Sequence, residues 1–137
     1  MVMQMKDKFQ STKDDVEQFL DTINTITNSP NFNTLYDFDL LIKNEPNDKY
    51  STMNTMLSLD YDRNDVLNEI KKIKVEDYVE TGIDRKDANL PYLYVFNKRI
   101  QGKDIYIKVK IRSVKNRKIF CFSFHYAKYK VTFFPYK

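Results

Sequence analysis

The chain has 137 residues, 42% of them hydrophobic and 15% aromatic, enough for one domain with a substantial core. Its 23 Lys and Arg against 19 acids leave a net charge of +4, and its one cysteine excludes an internal disulfide. No apolar run reaches membrane-span length and the first ten residues have no signal-peptide core, so no membrane segment is expected and the cytoplasm is the expected compartment.

Residues 12–27, "TKDDVEQFLDTINTIT", predict a helix. Thr12 can cap it, Asp14 and Asp15 fall in the first turn, and Val16, Phe19, Leu20 and Ile23 keep helical spacing. "NSPN" should end it. Further on, "LYDFDLLIKN" suits either a short strand or a short helix, "EPND" a turn and "STMNTMLSLD" a short helix. A second clear helix is expected at "NDVLNEIKKIK", capped by Asn64 or Asp65, with Val66, Leu67, Ile70 and Ile73 inward. "VEDYVETGIDRKDANLP" reads as a polar connector.

Three strands should follow, "YLYVFNKRI", "DIYIKVKIR" and "KIFCFSFHY", with turns at "QGKD" and "VKNR". "KVTFFPY" suggests a last edge strand, the place where Pro135 is tolerated. Helices first and an antiparallel meander after them make an α+β domain.

Charge is divided unevenly. Residues 91–137 carry twelve Lys or Arg and one acid, a net of +11, while residues 1–90 carry eleven and eighteen, a net of −7. A basic half of this kind, interleaved with aromatic residues, attracts polyanions such as nucleic acid. Lys98, Arg99, Lys110, Arg112, Lys128 and Tyr94 are the expected RNA-binding residues.

In "DIYIKVKIR", Ile105, Ile107, Val109 and Ile111 form one face and Tyr106, Lys108, Lys110 and Arg112 the other. In "KIFCFSFHY", Phe120, Phe122, Phe124 and Tyr126 are expected in the core, with Cys121, Ser123 and His125 facing away. The two polar rows then share a face. A tight "VKNR" loop would pair residues whose numbers sum to 231: Tyr106 with His125, Lys108 with Ser123, Lys110 with Cys121. His125 is the only histidine, the side-chain type that exchanges protons most readily in catalysis; Tyr106 can donate a hydrogen bond, and Lys108 can steady a phosphate. That set suffices for metal-independent RNA cleavage through the 2′-hydroxyl. His125 as an ordinary half-exposed strand residue is the bland alternative.

Other chemistries fit poorly. One His and one Cys fall short of a zinc site, so no metal is expected. Cys121 and His125 on one strand lie about 13 Å apart, too far for a thiolate–imidazole dyad. Gly82 and Gly102 cannot build a glycine-rich phosphate loop. "DYDRND" starts like a calcium loop but lacks the glycine and the closing glutamate. No cofactor is expected.

"VEDYVETGIDRKD", "LYVFNKRIQGKDIYIKVKI" and "FCFSFHYAKYKVTFFPYK" together resemble the Gram-positive branch of the MqsR-like toxins of type II toxin–antitoxin systems. The resemblance covers residues 57–137, the toxin-like core; residues 1–56 form a helical N-terminal extension without a recognised motif. It implies a RelE-like (BECR-type) domain with helices packed on a curved antiparallel sheet. It also implies a ribosome-independent, sequence-selective mRNA endonuclease acting on single-stranded mRNA, and a cognate antitoxin protein. The family's catalytic tyrosine falls on Tyr106 and its late basic residue on His125. The chain departs from the family at Asp77–Glu80, where a lysine is expected, and at Leu93–Phe96, where a glutamine is expected. The competing readings are a non-catalytic module that grips RNA or protein with the same face, and a ribosome-dependent nuclease of related fold.

Overall fold

The structure is a computed structural model and describes residues 8–83, 92–113 and 118–137. In chain order the elements are β1 (Lys8–Phe9), α1 (Lys13–Thr27), α2 (Thr34–Asp37), β2 (Phe38–Leu40), α3 (Thr52–Leu59), α4 (Arg63–Lys71), a 3₁₀ turn (Val75–Asp77), β3 (Tyr78–Gly82), β4 (Leu93–Ile100), β5 (Lys103–Ser113) and β6 (Lys118–Tyr126). The fold is α+β. Among the described residues no helix is long and apolar enough to cross a membrane.

Local chemistry explains most boundaries. Thr12 caps α1 by accepting from Asp15 N–H, as its sequence predicts, and Ser51 does the same for α3 from Asn54 N–H. Helix α3 ends on Asp60 in the left-handed region, φ 59°. The cap of α4 is Asp62, two residues ahead of Asn64 and three ahead of Asp65, the expected caps. Asp62 and Asp65 accept each other's backbone N–H in a reciprocal box, so Asp65 occupies the third helical position rather than the cap. The ambiguous "LYDFDLLIKN" is both elements in succession: α2, then β2.

The six strands form one sheet in the order β1-β3-β4-β5-β6-β2. All pairs are antiparallel except β2 with β6, which is parallel, so the sheet is mixed rather than wholly antiparallel. Strands β4 and β5 join through Gln101 and Gly102, both at positive φ (52° and 77°), as a tight two-residue hairpin requires. The expected "VKNR" turn lies outside the described residues.

Two sequence expectations are corrected. The presumed connector begins with a strand, since Tyr78–Gly82 pairs with both β1 and β4. Its polar residues conceal this because they are satisfied internally. Tyr78 is fully buried, and its hydroxyl, Thr81 Oγ1 and Ser11 Oγ form a chain of 2.6 Å hydrogen bonds. The rest of that segment, 84–91, lies outside the described residues. The "KVTFFPY" tail forms no strand. It is tied instead by Ala127 N–H to Asp104 O at 3.0 Å and by the Tyr136 hydroxyl to Ser11 O, with Tyr136 stacked on Tyr78. The edge beside β6 is taken by β2.

Buried residues of α1, α3 and α4 share one hydrophobic cluster with Phe96, Ile105, Ile107, Val109, Ile111, Ile119, Cys121 and Phe124 of the sheet. On β5 the apolar row predicted by alternation is therefore the core row. On β6 the prediction fails halfway. Lys108 pairs with Ser123 and Val109 with Cys121, which leaves Phe122 as the extra residue of a β-bulge. The bulge inverts the phase. Phe124 and Tyr126 stay on the core side, but Ile119 and Cys121 replace Phe120 there. Lys110 consequently pairs with Phe120, not with Cys121.

Candidate active site on the sheet face

The outward face opposite the core carries Tyr106 and Lys108 from β5 and Ser123 and His125 from β6. Tyr106 and His125 are directly opposed in register, and their rings stack with centroids 5.3 Å apart and 18° between planes. The predicted pairing holds here because two register shifts cancel: one residue is extra on β5 between Ile111 and Ser113, and Phe122 is extra on β6.

Strand β6 is fixed firmly at this point. One edge pairs with β5. On the other edge, beyond the stretch paired with β2, the Phe124 and Tyr126 N–H groups donate to Thr52 Oγ1 (3.3 Å) and Thr55 Oγ1 (3.0 Å) of α3. His125 lies between these two anchors. Its Nδ1 is 2.9 Å from Tyr126 O. With the proton on Nδ1 donated to that carbonyl, Nε2 presents a lone pair.

Burial and charge tune the neighbours. The Tyr106 phenol is pushed up to about 12 by burial and by the Glu80 carboxylate. It therefore keeps its proton through the neutral range and serves as a hydrogen-bond donor. Burial and the Lys8 cation push the Lys108 ammonium below the ordinary lysine range, with Glu80 opposing. Lys108 Nζ lies 5.9 Å from the Tyr106 ring centroid. Glu80 also holds Lys8 at 3.2 Å. A lysine made more acidic beside a tyrosine made less acidic divides two tasks, proton donation and hydrogen-bond donation.

The expected RNA-binding set separates into groups. Lys128 is exposed and lines a cavity of about 170 Å³ with His125, Ser123 and Tyr50. Arg112 lies 4.2 Å over the Phe120 ring and pairs with Asp39 at 3.0 Å, half exposed. Arg99 is exposed at the hairpin end and pairs with Asp104 at 3.0 Å. The other three are elsewhere. Lys110 is 1% exposed and cannot meet a ligand on the surface. Lys98 faces α4, where its ammonium is 2.9 Å from Glu69 Oε1, both side chains 15% exposed. Tyr94 stacks on Phe19 of α1 at 4.0 Å, on the core side. Alternation along β4 puts Tyr94, Phe96 and Lys98 on the face that meets the helices, and charge alone does not reveal this.

Sequence reasoning missed Asn97. The tight turn at 101–102 pairs residues of β4 and β5 whose numbers sum to 203, which brings Asn97 opposite Tyr106. Asn97, Tyr106 and His125 thus form one row across three strands. Glu80 and Lys8 were also missed, because the strand that carries Glu80 reads as a connector.

No protein-family model matches the chain, and no curated protein or solved structure does. The likeness to MqsR-like toxins rests on the quoted segments alone.

Proposed function

We propose that the chain is a metal-independent endoribonuclease of the MqsR-like toxin type, built on a RelE-like domain, that cuts single-stranded mRNA by attack of the 2′-hydroxyl. The observation that carries this reading is the stacked Tyr106–His125 pair with the acid-shifted Lys108 beside it. His125 Nε2 takes the proton of the 2′-hydroxyl. The O2′ atom forms a bond to phosphorus, and the phosphorus–O5′ bond breaks. The Tyr106 hydroxyl donates to a non-bridging oxygen as charge builds there. Lys108 gives its proton to the departing O5′. The products are a 2′,3′-cyclic phosphate and a 5′-hydroxyl, with every proton accounted for.

In this reading Lys128, Arg112 and Lys108 attract the backbone, and the cavity beside His125 receives an unstacked base on Tyr50. A free nuclease of this kind harms its own cell, so a cognate antitoxin in the cytoplasm covers the basic face or distorts it. The test is cleavage of a defined single-stranded RNA by the purified chain in excess EDTA, with the product ends mapped. Cyclic phosphate and 5′-hydroxyl termini support the reading. Binding without cleavage favours the non-catalytic module.

A further inference from the structure

Beyond the reactive pair, the row ends at Asn97. This side chain is 6% exposed, and among the described residues its Oδ1 has no hydrogen-bond partner. Buried polar atoms are nearly always satisfied, and an exception calls for a ligand or a function. Asn97 lines a cavity of about 460 Å³ between the 3₁₀ turn, the exposed edge of β4 and the C-terminal tail. Five lysines also line it: Lys98, which is paired with Glu69, and Lys72, Lys74, Lys130 and Lys137. The acids there are largely engaged. Asp77 accepts from Lys74 N–H at 3.0 Å and burial pushes its carboxyl up, while Asp104 is held by Arg99. Glu76 is exposed. The cavity therefore combines excess positive charge with one buried acceptor that lacks a donor.

Inorganic sulfate, which has no donor at neutral pH, would satisfy the lysines and leave Asn97 Oδ1 unpaired. A ligand that brings both a phosphate and a hydroxyl satisfies both. We propose that this cavity is a nucleotide subsite, in which the lysines take a phosphate and Asn97 Oδ1 accepts a hydrogen bond from a ribose hydroxyl. Because Asn97 adjoins Tyr106 in register, the bound unit is a nucleotide next to the scissile phosphate; that assignment rests on the nuclease reading, whereas the subsite itself does not.

The test is calorimetric titration of the full chain with 5′-AMP, 2′,3′-dideoxy-AMP and inorganic sulfate. AMP should bind more tightly than either of the others. Asn97→Leu should weaken AMP about five- to tenfold, the range of one hydrogen bond, and leave inorganic sulfate unchanged. Its melting temperature should stay level or rise, since an apolar group in place of an unpaired buried acceptor costs nothing. Lys74→Gln/Lys130→Gln, at exposed positions, should weaken all three ligands. Inorganic sulfate binding as well as AMP, AMP affinity unchanged in Asn97→Leu or in the double lysine variant, or a lowered melting temperature in Asn97→Leu would each overturn the subsite. RNA cleavage is assayed in parallel. Asn97-dependent AMP binding without cleavage supports the subsite and removes the nuclease; cleavage with Asn97-independent AMP binding removes the subsite alone.

Discussion

Tyr106 and His125 meet face to face from neighbouring strands, 5.3 Å between ring centroids, with Lys108 one position further along the same face of β5. Neither ring belongs to the core. A half-buried histidine fixed between two helix-anchored residues, next to a phenol that holds its proton, is the arrangement the proposed proton transfer requires. Tyr106→Phe should keep the stack and lose only the hydroxyl, so cleavage should slow by about 10–100-fold while RNA affinity stays near normal. Single-turnover kinetics would separate the two. Loss of affinity with an intact chemical step would return Tyr106 to a binding role.

The alkaline side of the pH–rate profile should report Lys108. Burial and Lys8 lower its pKa and Glu80 raises it. Removing the Glu80 charge by Glu80→Gln takes away the raising influence, so activity should begin to fall at lower pH than in the native protein. Lys8→Gln should move the same limb upward. Tyr106 contributes no limb near neutrality, because its phenol sits at about 12. Shifts in the reverse directions would mean that another group gives up the proton.

Lys98 should matter for stability. It pairs at 2.9 Å with Glu69, which also accepts from the Tyr61 hydroxyl at 2.5 Å. Burial pushes the Glu69 carboxyl up, but the hydrogen bonds from Tyr61 and Lys98 and the Lys98 charge outweigh it and hold the carboxyl below its ordinary range. A depressed carboxylate stabilises the fold above its unfolded pKa, and that stabilisation is lost as pH falls through the folded value. Lys98→Met should cost about 2–4 kcal/mol at neutral pH and flatten part of the acid dependence. Chemical denaturation across the acid range would show it.

The sheet was readable where one face is apolar and the other charged. On β5 the two rows are chemically distinct, so Ile105 to Ile111 could be assigned to the core and Tyr106 could be paired with His125. On β6 the N-terminal half is apolar on both faces, because Phe120 is nearly buried under Arg112 on the outward side. Aromatic alternation cannot then reveal a one-residue phase change, and the bulge at Phe122 went unseen. Lys98 and Lys110 were misplaced for a related reason: a lysine whose stem is buried reads like a surface lysine in sequence. The glutamate, threonine and tyrosine of β3 hid a strand whose polar groups find partners only after folding.

Cys121 tests that phase change directly. Uninterrupted alternation would put it outward beside Lys110; the bulge buries it completely and pushes its thiol up to about 12. The native protein should resist alkylation by iodoacetamide at neutral pH and react on unfolding. Fast labelling of the folded chain would mean that β6 lacks the bulge.

RNA binding should depend steeply on salt, with a log–log slope of roughly −0.7 per phosphate contacted. Charge removal at Lys128 should lower the slope, whereas removal at the buried Lys110 should act through the fold. A filter-binding titration over a range of salt would distinguish them, and a flat dependence would contradict the basic-face assignment.

The central claim is that His125 exchanges a proton with RNA. The most direct measurement is the cleavage rate of purified His125→Ala protein on a defined single-stranded RNA, with circular dichroism recorded on the same sample. Loss of a general base should lower the rate by about 10²–10⁴-fold. The spectrum should stay native, because His125 is only half-buried and contributes little to the core. A variant with a native spectrum that cuts RNA at the normal rate would contradict the account and make His125 an ordinary strand residue.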